Sequence, residues 1–170
     1  MKLIPKITVL FLVAALFFTM SVRLTHAVEV KQLKQLELTK VTVNPGSFYY
    51  SFKRLFEKGK EKFIFSEEQK ISFYTSLLKV RLSELDYVIS NKGLSEIQGS
   101  SERFAYYAGV LTEELIKQNK VNEKENLIKE FGQYGKFLTG LRDKYPANSS
   151  FWMLVQHDIN TLNILSERLK

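Results

Sequence analysis

The chain contains no cysteine. That excludes a disulfide scaffold, thiol nucleophiles and thiolate zinc sites. Histidine is nearly absent as well, with His26 and His157 the two present, too few for a His-rich metal site. There is no HExxH, no GxSxG and no Gly-rich phosphate loop. The adjacent polar pairs Glu113-Glu114 and His157-Asp158 do not make up for this. Neighbouring helical positions point about 100° apart, so neither pair converges on one substrate atom. No catalytic, cofactor-binding or metal-ligating residue is assigned, and no cofactor is expected. The charge also lacks a nucleic-acid footprint. The formal net charge is +7, but three of the 25 basic residues (Lys2, Lys6, Arg23) and none of the 18 acidic ones lie in the first 27 residues. Residues 28–170 therefore carry +4, an ordinary solvated surface with a weak pull toward anionic lipid or acidic wall polymer.

What is present begins with the N-terminus. Lys2 and Lys6 precede an uncharged run, Ile7 to Val22, and Thr25-His26-Ala27 follows it. A positive end, an apolar stretch and a small exit residue form an export segment over residues 1–27. The run is slightly long for a signal core and short of the roughly 20 residues that span a bilayer. Two readings stay open: a signal cleaved after Ala27, or a retained anchor contacting the membrane through residues 7–22. In the anchored case Lys2 and Lys6 stay inside. Both readings export residues 28–170, either released or tethered to the cytoplasmic membrane.

Residues 28–46 read as a tether, with an extended piece around Val41 and Val43, and Asn44-Pro45-Gly46 marks a boundary. The domain over 47–170 is expected to be all-α: an antiparallel bundle of about five helices, near 48–62, 67–91, 101–119, 123–144 and 150–169. Ser47 offers a cap to the first, whose apolar positions are Phe48, Phe52, Leu55 and Phe56. Ser66 with Gln69 and Asn122 with Glu125 have capping-box spacing. Asn91-Lys92-Gly93 predicts a left-handed glycine, and Gly99-Ser100-Ser101 a third helix start. Long stripes follow: Ile71, Tyr74, Leu78, Leu82, Leu85, Val88 and Ile89; Phe104, Tyr107, Ala108, Leu111 and Leu115; Leu127, Phe131, Tyr134, Leu138, Leu141 and Tyr145; then Phe151, Val155, Leu162, Leu165 and Leu169. Spacings of three and four are the seam of a bundle. Pro146 stops the fourth helix, and Asn148 to Ser150 cap the fifth.

The segment PGSFYYSFKRLFEK (Pro45, Ser47, Tyr50, Lys53, Arg54, Glu57) is followed by Phe65-Ser66, an acid-and-lysine helix start (Glu67, Glu68, Lys70) and RLSEL (Arg81, Leu82, Glu84, Leu85). In order and spacing, residues 45–93 resemble the exported helical domains grouped as domain of unknown function 5667. Phe48 and Leu78 depart from that pattern, where a proline and a small residue are expected. The second departure implies a wider helix–helix contact. The resemblance implies a bacterial, envelope-associated helical domain and no assigned activity.

Four charged residues stand out. Lys53 and Glu57 are i,i+4 neighbours, and Arg81 sits beside the second stripe within reach of Glu84 or Glu57. Structural ion pairing among Lys53, Glu57, Arg81 and Glu84 is the expectation, rather than a ligand-binding arginine. The basic first helix is expected to pack its apolar residues on the second rather than lie on a membrane. Tyr106, Tyr107, Tyr134 and Tyr145 are read as core-edge residues rather than a binding groove. Trp152 is expected to pack in the bundle. The leading functional expectation is a non-enzymatic envelope protein that presents helical faces to an envelope protein or polymer, with no nucleic-acid partner. The alternatives are a helical chaperone or stress adaptor, which needs a concave apolar patch, and a cell-wall hydrolase, which needs converging carboxylates in a cleft.

Overall fold

The computed structural model describes Leu36 and residues 38–170. The export segment 1–27, with its apolar run 7–22, and much of the tether lie outside the described residues. Residues 38–170 form five helices: α1 (Tyr50–Lys62), α2 (Glu67–Ser90), α3 (Leu94–Lys117), α4 (Val121–Arg142) and α5 (Ser150–Leu169). The protein is all-α, and no strand occurs among the described residues.

Four helices make the core. α2 pairs with α3, α4 pairs with α5, and α3 packs on α5 to join the two hairpins. Consecutive helices run antiparallel, as their short connections require. The α3–α5 contact joins parallel helices, because Arg168 near the end of α5 pairs with Glu113 near the end of α3. The interior is built from the stripes in the sequence: Leu78, Leu82 and Leu85 of α2, Phe104, Tyr107 and Leu111 of α3, Phe131 and Leu138 of α4, and Val155 and Leu162 of α5 are all buried. Fully burying side chains of this kind contributes roughly 1.5–3 kcal/mol each.

The ends of the helices differ from expectation in instructive ways. α3 begins at Leu94, not near residue 101. Lys92, at φ 55°, takes the left-handed turn expected of Gly93. The Gly93 N–H then bonds the Val88 carbonyl (2.9 Å) and the Lys92 N–H bonds that of Ile89 (3.3 Å), so the chain reverses within three residues. Gly99, Ser100 and Ser101 consequently lie inside the helix. Ser100 and Ser101 are buried there, small enough to admit close helix packing. Asn119 repeats the left-handed turn after α3 (φ 50°).

Neither capping box forms. Ser66 precedes α2 in an extended conformation without a side-chain cap bond, and Lys120, not Asn122, precedes α4. α4 accordingly spans 121–142 instead of 123–144 and leaves Tyr145 beyond its end. Ser149 does cap α5, accepting from the Trp152 N–H at 3.3 Å. Trp152 is half-buried, with the Arg142 guanidinium 4.9 Å from its ring centre.

The described part of the tether is neither strand nor helix. Residues 38–44 lie across α2, bordering an open groove with Ser83, Asp86, Tyr87, Ser90 and Asn91. A turn follows, closed by the Ser47 N–H on the Asn44 carbonyl (3.1 Å), with Gly46 at φ 86° and Pro45 buried. α1 starts two residues later than the cap reading of Ser47 implies, because Ser47 to Tyr49 complete a further turn, Tyr50 N–H to Ser47 carbonyl, 3.0 Å.

Candidate functional site

α1 docks on the bundle with the opposite polarity to an ordinary amphipathic helix. At about 100° per residue, Tyr50, Arg54, Glu57 and Glu61 share one face, and Phe52, Leu55 and Phe56 share the other, with Phe48 and Phe63 just beyond the ends of the helix. The polar face points inward. Tyr50 is the one buried residue of α1. The expected packing of Phe48, Phe52, Leu55 and Phe56 against α2 does not occur. All four are exposed, from 62% for Phe52 to 80% for Phe48, and Phe63 and Phe65 are as open.

The reason lies in what α2 offers. Arg81 and Glu84, one turn apart, are fully buried. A desolvated ion costs several kcal/mol unless it is paired and hydrogen-bonded, and α1 supplies the partners. Arg81 bonds Glu84 on its own helix and Glu57 on α1. Glu84 also accepts from the Lys53 ammonium (2.5 Å) and the Tyr50 hydroxyl (2.8 Å). Farther along, the Tyr74 hydroxyl donates to Glu61 at 2.9 Å. The four charged residues singled out in the sequence thus meet in one network, although Lys53 pairs with Glu84 across the interface rather than with its helical neighbour Glu57. Glu57 instead accepts from Arg54 at 2.8 Å.

Two rings complete the cluster. Arg54 and Arg81 lie 5.6 and 5.5 Å from the Tyr107 ring centre, and Arg103 lies 5.3 Å from that of Tyr50. Such cation–π contacts gain strength where water is excluded. Burial alone would raise the Glu84 carboxyl, but Arg81, Lys53 and Tyr50 outweigh it and hold the group below its ordinary value. Burial, reinforced by Glu84, raises the Tyr50 hydroxyl, which therefore stays a donor. Both carboxylates of the network are neutralised by cations, an arrangement that suits clamping rather than proton transfer.

Sequence reasoning gave Tyr50 no role beyond the resemblance and set Asp158 aside together with His157. Asp158 is fully buried on α5, and neither carboxylate oxygen has a hydrogen-bond partner of good geometry among the described residues. Burial pushes its carboxyl up to about 8, eased slightly by the Ser101 hydroxyl. Its register was a readable signal, since Val155, Asp158, Leu162, Leu165 and Leu169 step by three and four. The tyrosines considered for a groove do not converge: Tyr106 is exposed, while Tyr107 and Tyr134 are buried. Among the described residues, no three His, Asp or Glu side chains come together to hold a metal, and no helix is long and apolar enough to cross a membrane.

Comparison with protein-family models, with curated proteins and with solved structures finds no match. It neither supports nor opposes the resemblance of residues 45–93.

Proposed function

We propose that this chain is an exported, non-enzymatic envelope protein whose helical domain is an interaction module, with α1 as its contacting element. The carrying observation is the inverted docking of α1. An ion network fixes its polar face to the bundle, and Phe52, Leu55 and Phe56 are left outward. Exposing that much aromatic surface costs solubility and has a use only where something covers it. Export rests on Lys2, Lys6, the apolar run 7–22 and Thr25-His26-Ala27. The non-enzymatic part is supported by the sealed position of Asp158 and the neutralised state of Glu57 and Glu84.

A helical chaperone for unfolded exported chains is the second reading, favoured by the same aromatic stripe. The stripe follows the convex side of a helix, whereas capture of unfolded chains calls for a concave surface. The two separate in one experiment. A photo-crosslinking phenylalanine analogue replaces Phe56, or Met153 as control, in the full chain expressed in an exporting bacterium. A discrete adduct at 56, to a protein, a polymer or a lipid, and none at 153 supports the module. A broad smear of products at 56 supports the chaperone. Recovery of the protein in the cytoplasm, or no adduct at 56, refutes the proposal.

A further inference from the structure

Building on that reading, we propose that the outward face of α1 rests on an anionic lipid surface. Three observations converge. The first is shape. Phe52, Leu55 and Phe56 lie within about 60° of a single line along the helix, with Phe48 and Phe63 exposed just beyond its two ends, as in helices that lie in the interfacial plane of a bilayer. Phe48 and Phe52 pack on each other with tilted rings, 6.1 Å between ring centres, and both stay exposed.

The second is charge. Both acidic residues of α1 are drawn inward, Glu57 to Arg81 and Glu61 to Tyr74. The exposed charges left on the helix are Lys58, Lys60 and Lys62, all positive. By helical geometry Lys60 flanks the apolar stripe on one side and Lys58 and Lys62 on the other. Lys60 already lies along the stripe, its ammonium 4.8 Å from the Phe56 ring centre. A stripe with cations on both flanks matches the arrangement of acyl chains beneath anionic headgroups, and long lysine side chains can reach those headgroups while their stems stay apolar.

The third is rigidity. The network of Arg81, Glu84, Glu57, Lys53 and Tyr50 holds the inward face, so the stripe is presented preformed and binding need not order the helix.

The absence of native cysteine permits a site-specific test in the full chain. A nitroxide is attached to Leu55→Cys or, as control, to Met153→Cys. Its exposure to oxygen and to a water-soluble relaxant is read in buffer, with phosphatidylcholine vesicles, and with vesicles containing phosphatidylglycerol. Leu55 is exposed, so the substitution leaves the fold intact. The label at 55 should be in water in buffer and move into lipid on the anionic vesicles, while the label at 153 stays in water. Replacing Lys58, Lys60 and Lys62 together by Gln should weaken that transfer by roughly 100-fold, at about fivefold per lysine.

Three results would overturn the proposal. One is a label at 55 that stays in water on anionic vesicles. Another is equal transfer to neutral vesicles. The third is burial of the label in buffer alone, which would make residues 7–22 or a second copy the occupant, told apart by its dependence on concentration. A protein adduct at Phe56 in the crosslinking experiment, with the label at 55 in water on vesicles, would leave the interaction module standing and remove only the lipid.

Discussion

Replacing Asp158 by Asn should stabilise the protein, and more so as pH rises. The side chain is fully buried and its carboxyl is raised to about 8 from an ordinary 3.8, mainly by burial. The folded state therefore holds a proton that the unfolded chain gives up across that window. A group of this kind favours folding most at low pH and loses that contribution as pH climbs through 3.8 toward 8. Each tenfold difference in proton affinity is about 1.4 kcal/mol, so at pH 7 the cost of keeping the group protonated is about 2–4 kcal/mol after allowance for local relaxation. Asparagine has the shape of the protonated acid and nothing to titrate. Urea unfolding at several pH values should show the variant gaining little near pH 4 and about 3–5 kcal/mol near pH 8, with a flatter pH profile throughout. Asp143→Asn, at an exposed position, serves as the control and should change little. If Asp158→Asn destabilised the protein at pH 8, or left the slope unchanged, Asp158 would have to be a charged and partnered carboxylate, and the reasoning would fail.

Three further outcomes follow from the α1 network. Arg81→Met should cost about 3–5 kcal/mol, because it leaves Glu84 buried with fewer partners; urea midpoints measure this. Combining it with Glu84→Leu should recover part of that loss, since the pair is then replaced rather than broken. Glu84 works in the opposite direction to Asp158. Its folded-state carboxyl is lowered, so its contribution is present above the ordinary value of 4.5 and disappears as pH falls through the folded-state value. Amide exchange in α1 should therefore quicken in acid before that of α4 does, and simultaneous loss of protection in both helices would argue against a polar clamp.

The four long helices were legible because their cores repeat at spacings of three and four, and residues such as Phe104, Leu111, Leu138 and Leu162 are buried as the pattern requires. The boundaries were less so. Gly99-Ser100-Ser101 looks like a helix start by local chemistry, yet close packing of α3 uses those same small residues inside the helix. Lys92 takes the left-handed turn despite a neighbouring glycine, because the hairpin needs the turn one residue earlier. α1 was misread for a more basic reason. An apolar stripe is assumed to face the core, but the bundle presents α1 with two buried ions, Arg81 and Glu84, and satisfying them outweighs burying Phe52 and Phe56. A hydrophobicity pattern carries no information about that competition. The spacing Tyr50, Lys53, Arg54, Glu57 and Glu61 did mark a polar face of matching length, and Asp158 could have been found from its place in the α5 stripe.

The inverted docking of α1 is tested most directly by thiol labelling of single-cysteine variants of the full chain in solution. Leu55→Cys and Phe56→Cys probe the outward face, and Ser100→Cys, a one-atom change at a buried site in α3, is the protected reference. With the polar face of α1 inward, positions 55 and 56 should react at about the rate of an unstructured peptide and roughly 100-fold faster than position 100, whose reaction needs opening of the core. Protection at 55 and 56 equal to that at 100 would mean that α1 buries its aromatic face and that its docking is not inverted.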